Sequence, residues 1–126
     1  MYGFDYGDDD INTIPDLEAP QRYLWDGYGV GTYSDKYLHN ASHILGTDSR
    51  GYSRLNSEVV FFAGHGDSAL VKFPSGSLLY AAQLINMENV KIAVWAACYS
   101  SNQDNFDNSM IDNSVNAGAK ASIGWP

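Results

Sequence analysis

Two apolar runs interrupt an otherwise mixed pattern of hydrophobic and polar positions. The first is Val59-Val60-Phe61-Phe62-Ala63, and the second is Val90-Lys91-Ile92-Ala93-Val94-Trp95-Ala96-Ala97. Both are short, rich in β-branched and aromatic residues, and almost free of polar alternation. That is the pattern of strands buried on both faces, as in a parallel sheet. The first run passes through Gly64 into His65-Gly66, and the second passes directly into Cys98. Parallel neighbours would bring an imidazole and a thiol, 33 residues apart in sequence, out at one sheet edge. In open α/β sheets that carboxyl edge is where ligands bind.

The remaining pattern predicts strands alternating with helices. Met1 to Phe4 reads as a first strand, and Asp5 to Pro15 as a Gly- and Asp-rich loop. Asp16 to about Gly27 reads as a helix capped by Asp16, with Leu17, Tyr23 and Leu24 at helical spacing. Val30 to Tyr33 reads as a second strand. His39 to Leu45 reads as one or two helical turns stopped by Gly46, and Thr47 to Asn56 as a polar loop. After the first central strand, Ala69–Phe73 and Ser77–Leu79 flank Pro74-Ser75-Gly76 as a small hairpin. Ala81 to Met87 reads as a helix. Asn102 to Ala117 reads as another, carrying Phe106, Met110, Ile111, Ser114 and Val115 and stopped by Gly118. Lys120 to Trp125 is the last strand. This order implies βαβ units with right-handed crossovers.

The 126 residues suit a single domain, and 44% hydrophobic content is enough to build its core. The formal net charge of −8 argues against nucleic acid or an anionic membrane as partner and favours basic peptides. One cysteine excludes an internal disulfide. No apolar segment is long enough to span a bilayer. The start, Met-Tyr-Gly-Phe-Asp-Tyr-Gly, lacks the basic region and apolar block of a signal peptide.

A cysteine acts as a nucleophile when its thiolate is accessible and has a base or helix N-terminus nearby. Cys98 and His65 fit those roles, and the backbone N–H groups of Gly66 and Cys98 are the natural donors to an oxyanion. Two further patterns concern metals. Asp8, Asp10 and Asn12 occupy the first, third and fifth positions of a calcium loop, but Thr13 and Ala19 stand where Gly and Glu belong. Calcium is the one cofactor this loop suggests; otherwise none is expected. His39 and His43 lie one helical turn apart, at zinc-like spacing, with no Glu between them. A metal-dependent hydrolase using the three histidines is the distant alternative.

The stretches Phe61-Phe62-Ala63-Gly64-His65-Gly66 and Val94-Trp95-Ala96-Ala97-Cys98 resemble those of the caspase-like cysteine peptidases, which include caspases, metacaspases, legumain, gingipain, clostripain, separase and CHAT domains. Asn116 to Trp125 is similar to the helix, Gly turn and strand ending in Trp of the CHAT and bacterial members. The resemblance implies a caspase-like three-layer α/β sandwich with a mainly parallel sheet, truncated after its fifth strand. It also implies Cys98 as nucleophile and His65 as general base or acid. Caspases carry Gln-Ala-Cys with the His about 50 residues upstream, whereas Ala97-Cys98-Tyr99-Ser100 stands here, which favours the CHAT, separase or bacterial branch. Such peptidases usually continue with further strands, so a second subunit or a further C-terminal segment is an expected partner besides the peptide substrate. A non-catalytic binding module is the competing class. In caspases the loop after the first strand is basic and selects Asp. Here Asp8, Asp9, Asp10 and Asp67 would line the pocket and favour Arg or Lys.

Overall fold

The computed structural model describes residues 2–3, 12–28, 40–47, 53–101 and 108–126. Among them the fold is mixed α/β, built on two sheets. The larger is parallel, with strand order β1-β2-β6-β7, where β1 is Tyr2–Gly3, β2 Val59–Ala63, β6 Ile92–Ala96 and β7 Ser122–Gly124. The smaller is antiparallel and comprises β3 (His65–Asp67), β4 (Leu70–Lys72) and β5 (Leu78–Tyr80). The described helices are α1 (Ile14–Tyr28), α2 (Ala41–Leu45) and α3 (Met110–Asn116), with 3-10 turns at Arg54–Asn56 and Ala81–Gln83. None of these helices is long and apolar enough to cross a membrane.

The two central apolar runs pair as expected, with Val59 opposite Ile92 through to Ala63 opposite Ala96. Their two faces differ in burial. Val60, Phe62, Ala93 and Trp95 are buried on one face, whereas Val59, Phe61, Ile92 and Val94 are half-buried on the other. The buried face carries the aromatic centre of the core. The Phe62 ring meets Phe73 edge-on at 5.7 Å and Trp95 at 6.2 Å, which are favourable aromatic geometries. The Trp95 indole N–H is satisfied in this interior by the Ser114 hydroxyl (2.8 Å), which itself donates to the Met110 carbonyl (2.6 Å).

Several local expectations need correction. The first helix begins at Ile14, not Asp16: the Asn12 Oδ1 accepts the Ile14 N–H (3.0 Å), and Asp16 falls in the first turn. The helix also runs through Pro20, which supplies no N–H to the preceding turn. The expected helix over Ala81–Met87 is a 3-10 turn, Ala81–Gln83, followed by irregular chain in which Asn86 takes φ 56°. Ala81, Leu84, Met87 and Val90 are all buried, so a three-residue repeat of an irregular segment imitated the i, i+3 spacing of a helix. The last helix is Met110–Asn116, and residues 102–107 of its expected span lie outside the described residues. It starts where Ser109 accepts the Asp112 N–H (3.0 Å), an N-cap that the polar sequence disguised. Asn40, capping the His43 N–H, opens α2, and Gly46 at φ 74° closes it as expected. The expected strand Val30–Tyr33 lies outside the described residues.

Candidate functional site

The parallel ladder delivers His65 and Cys98 to the same edge. The Gly64 N–H donates to the Ala96 carbonyl (3.1 Å), so β2 and β6 stay paired one step past their strand ends. The chains then diverge. After Gly64 the first enters β3, so His65 begins a strand and does not sit in a loop, a strand the hydrophobic pattern did not announce. The second leaves β6 at Ala97. Between them lies a very close approach: a Cβ added to Gly66 would stand 2.7 Å from the Ala97 Cβ and 2.9 Å from the Leu70 carbonyl oxygen. His65 and Cys98 each lie one residue from this contact.

Cys98 occupies a tight turn. The Ser100 N–H donates to the Ala97 carbonyl (3.3 Å), and Tyr99 takes φ 55° at the third position, the type II pattern. Ala97 and Ser100 are buried, while Cys98 and Tyr99 are exposed. Among the described residues no backbone carbonyl takes the Cys98 N–H. The expected oxyanion donor is therefore not consumed by secondary structure.

His65 sits opposite Lys72 and Gly66 opposite Val71 in the β3–β4 ladder. Side chains alternate along a strand, so His65 and Asp67 leave one side of the ribbon while the Gly66 position faces Ala97 on the other. His65 is half-buried, with its Nε2 shielded from solvent. Asp67 is exposed, and its Oδ1 accepts the Ser68 N–H (2.6 Å). The hairpin tip is fixed from beyond: the Ser68 carbonyl accepts the Met110 N–H (2.9 Å) at the start of α3. Helix α3 therefore braces both arms of the site, the hairpin through Ser68 and β6 through Trp95.

The other expected site residues are not brought to this edge by the described structure. Asp8, Asp9 and Asp10 lie outside the described residues. The chain that follows them is anchored at the edge, because the Thr13 hydroxyl donates to the Ala63 carbonyl (2.6 Å). Asn12, the third proposed calcium ligand, uses its side-chain oxygen on the Ile14 N–H. His39 lies outside the described residues, and His43 is 1% exposed inside α2. Among the described residues no group of three His, Cys, Asp or Glu side chains could hold a metal ion. A shallow groove of about 310 Å³ runs between Leu84–Glu88 and Asn113–Ala117. It lies at the end of α3 remote from Ser68 and holds neither His65 nor Cys98.

Comparison with known proteins adds no relative: no family description, no curated protein and no solved structure matches this chain. Sequence reasoning singled out neither Ser100 nor Gly124, which the structure brings together beside the Cys98 turn, where a Cβ on Gly124 would stand 2.6 Å from the Ser100 Oγ. Their signal was weak, a Ser two positions past the cysteine and a Gly before Trp125, and their meaning depends on a contact between segments distant in the chain.

Proposed function

We propose that the chain is a caspase-like cysteine peptidase whose Cys98 and His65 form a catalytic dyad. The observation that carries this reading is the Gly66–Ala97 contact at the carboxyl ends of adjacent parallel strands, with a reactive side chain one residue from each partner. In the proposed reaction the Cys98 Sγ attacks the scissile carbonyl carbon and its proton passes to the His65 imidazole. The N–H groups of Gly66 and Cys98 hold the resulting oxyanion. Collapse of the tetrahedral intermediate breaks the C–N bond, and His65 returns the proton to the leaving amine. Water then hydrolyses the thioester, giving up its proton through His65. Asp67, on the same side of the ribbon as His65, supports selection of Arg or Lys before the scissile bond, assisted by Asp8, Asp9 and Asp10.

The test is thiol reactivity joined to turnover. Iodoacetamide should alkylate Cys98 faster than a free thiol at neutral pH, and His65→Ala should slow it. Cys98→Ala should fold and hydrolyse no peptide. A Cys98 that reacts no faster than a free thiol, together with undiminished turnover in Cys98→Ala, would sink the dyad and turn attention to a binding module.

A further inference from the structure

Ser100 is fully buried, yet it lies two residues from exposed Cys98. Its hydroxyl donates to the Trp95 carbonyl (2.6 Å) and accepts the Trp125 N–H (2.9 Å). In a regular parallel ladder the Trp125 N–H would reach the Trp95 carbonyl directly, since Trp95 pairs with Gly124. The Ser100 side chain is therefore inserted into the rung that extends β6 and β7. The next backbone group continues the tie, with the Ser101 N–H donating to the Trp125 carbonyl (2.9 Å). The insertion needs Gly124, where a Cβ would stand 2.6 Å from the Ser100 Oγ.

We infer that Ser100 is a positioning residue for the proposed dyad: its hydroxyl latches the Cys98 turn to β6 and β7 and so fixes the thiol against His65. This rests on the peptidase reading above. Among the described residues the other ties of this turn are backbone ones, the Ala97 N–H to the Trp95 carbonyl and the Ser101 N–H to the Trp125 carbonyl, both 2.9 Å. Tyr99 holds a left-handed backbone, and the Ser100 N–H to Ala97 bond is long at 3.3 Å. Without the hydroxyl, the Trp95 carbonyl and Trp125 N–H lose their shared partner and the strand end is free to re-pair without the turn. The other arm stays in place, because the His65 hairpin is tied to α3 through Ser68 and Met110. Loss of the latch should therefore shift one reacting group relative to the other, and a shift of about 1 Å is enough to cost about a hundredfold in rate.

The experiment compares Ser100→Ala with wild type for peptide hydrolysis, and for Cys98 alkylation with and without His65→Ala. Near-UV circular dichroism establishes that each variant is folded. The expected result is a kcat lower by about a hundredfold with KM little changed, and an alkylation rate that no longer responds to His65→Ala. A folded Ser100→Ala with normal kcat, or with the full His65 effect on alkylation, overturns the inference while leaving the dyad intact. If His65→Ala has no effect even in wild type, the dyad itself falls and the inference falls with it. Should Ser100→Ala fail to fold, Gly124→Ala displaces the same hydroxyl by crowding and should reproduce the selective kcat loss; normal kcat in that variant overturns the inference equally.

Discussion

Gly66 and Ala97 meet with room for only a hydrogen between them: a Cβ on Gly66 would lie 2.7 Å from the Ala97 Cβ. This contact joins the hairpin that carries His65 to the strand end that carries Cys98. The glycine is needed for close approach, since its φ is not in the left-handed region. Gly66→Ala should accordingly push the hairpin away from Ala97. The same Cβ would stand 2.9 Å from the backbone oxygen of Leu70, so relaxation is limited and a destabilisation of about 1–3 kcal/mol follows from overpacking. Urea denaturation would measure it. Hydrolysis should fall further than stability does, and a variant with wild-type stability and turnover would remove the contact's proposed importance.

Ser114→Ala tests the brace. Trp95 and Ser114 are both buried, and the indole N–H has the Ser114 hydroxyl as its partner. Removing that hydroxyl leaves a buried donor unmet, at a cost of about 1–3 kcal/mol. Chemical denaturation should show the loss, with a changed Trp95 fluorescence. An unchanged midpoint would mean that the indole finds another acceptor.

The parts of the fold that the chain declares are those written in side-chain periodicity. The β2–β6 pair, the Pro74–Gly76 hairpin, the Gly46 stop and the last strand were all legible because their apolar runs and turn residues are local signals. The strand containing His65 was not legible. His65-Gly66-Asp67 has no apolar pattern, and it becomes a strand only because Leu70–Lys72 lies beside it. Ala81–Met87 misled for the opposite reason, since burial every third residue suits an irregular crossing as well as a helix. At the candidate site His65 and Cys98 were legible as strand-end residues. Ser100 was not, because its importance is set by Trp95 and Trp125, and the latter is 25 residues away.

On the peptidase reading, specificity would set Asp67 against Lys72, the one lysine or arginine of the hairpin. Lys72 lies directly across from His65, on the side of the ribbon that also presents Asp67. If Asp67 helps to hold a basic substrate side chain, Asp67→Asn should lower kcat/KM for peptides with Arg before the scissile bond, whereas Lys72→Gln should raise it. A panel of fluorogenic peptides carrying Arg, Lys, Asp or Leu at that position gives the answer. Preference for Asp or Leu, unmoved by replacing Asp8, Asp9, Asp10 and Asp67 with Asn, would end the idea.

Asn40→Ala probes α2, which holds neither His65 nor Cys98. The Asn40 side chain caps α2 through the His43 N–H at 3.0 Å, and loss of such a cap costs about 1 kcal/mol. Thermal melting should detect the change while Cys98 alkylation stays at the wild-type rate. A parallel fall in alkylation would mean that α2 communicates with the site, through the bond that the Ala41 N–H donates to the Ser77 hydroxyl (3.0 Å) in the turn between β4 and β5.

The Ser100–Trp125 rung also has a consequence for the order of synthesis. Cys98 leaves the ribosome well before Trp125, so for an interval the nascent chain holds the thiol without the strand that steadies its turn. His65 is already present during that interval, but the edge they share is unfinished. If the dyad is the working machinery, a growing polypeptide is chemically quiet toward its neighbours until β7 docks, a timing in which the buried Ser100 hydroxyl takes part.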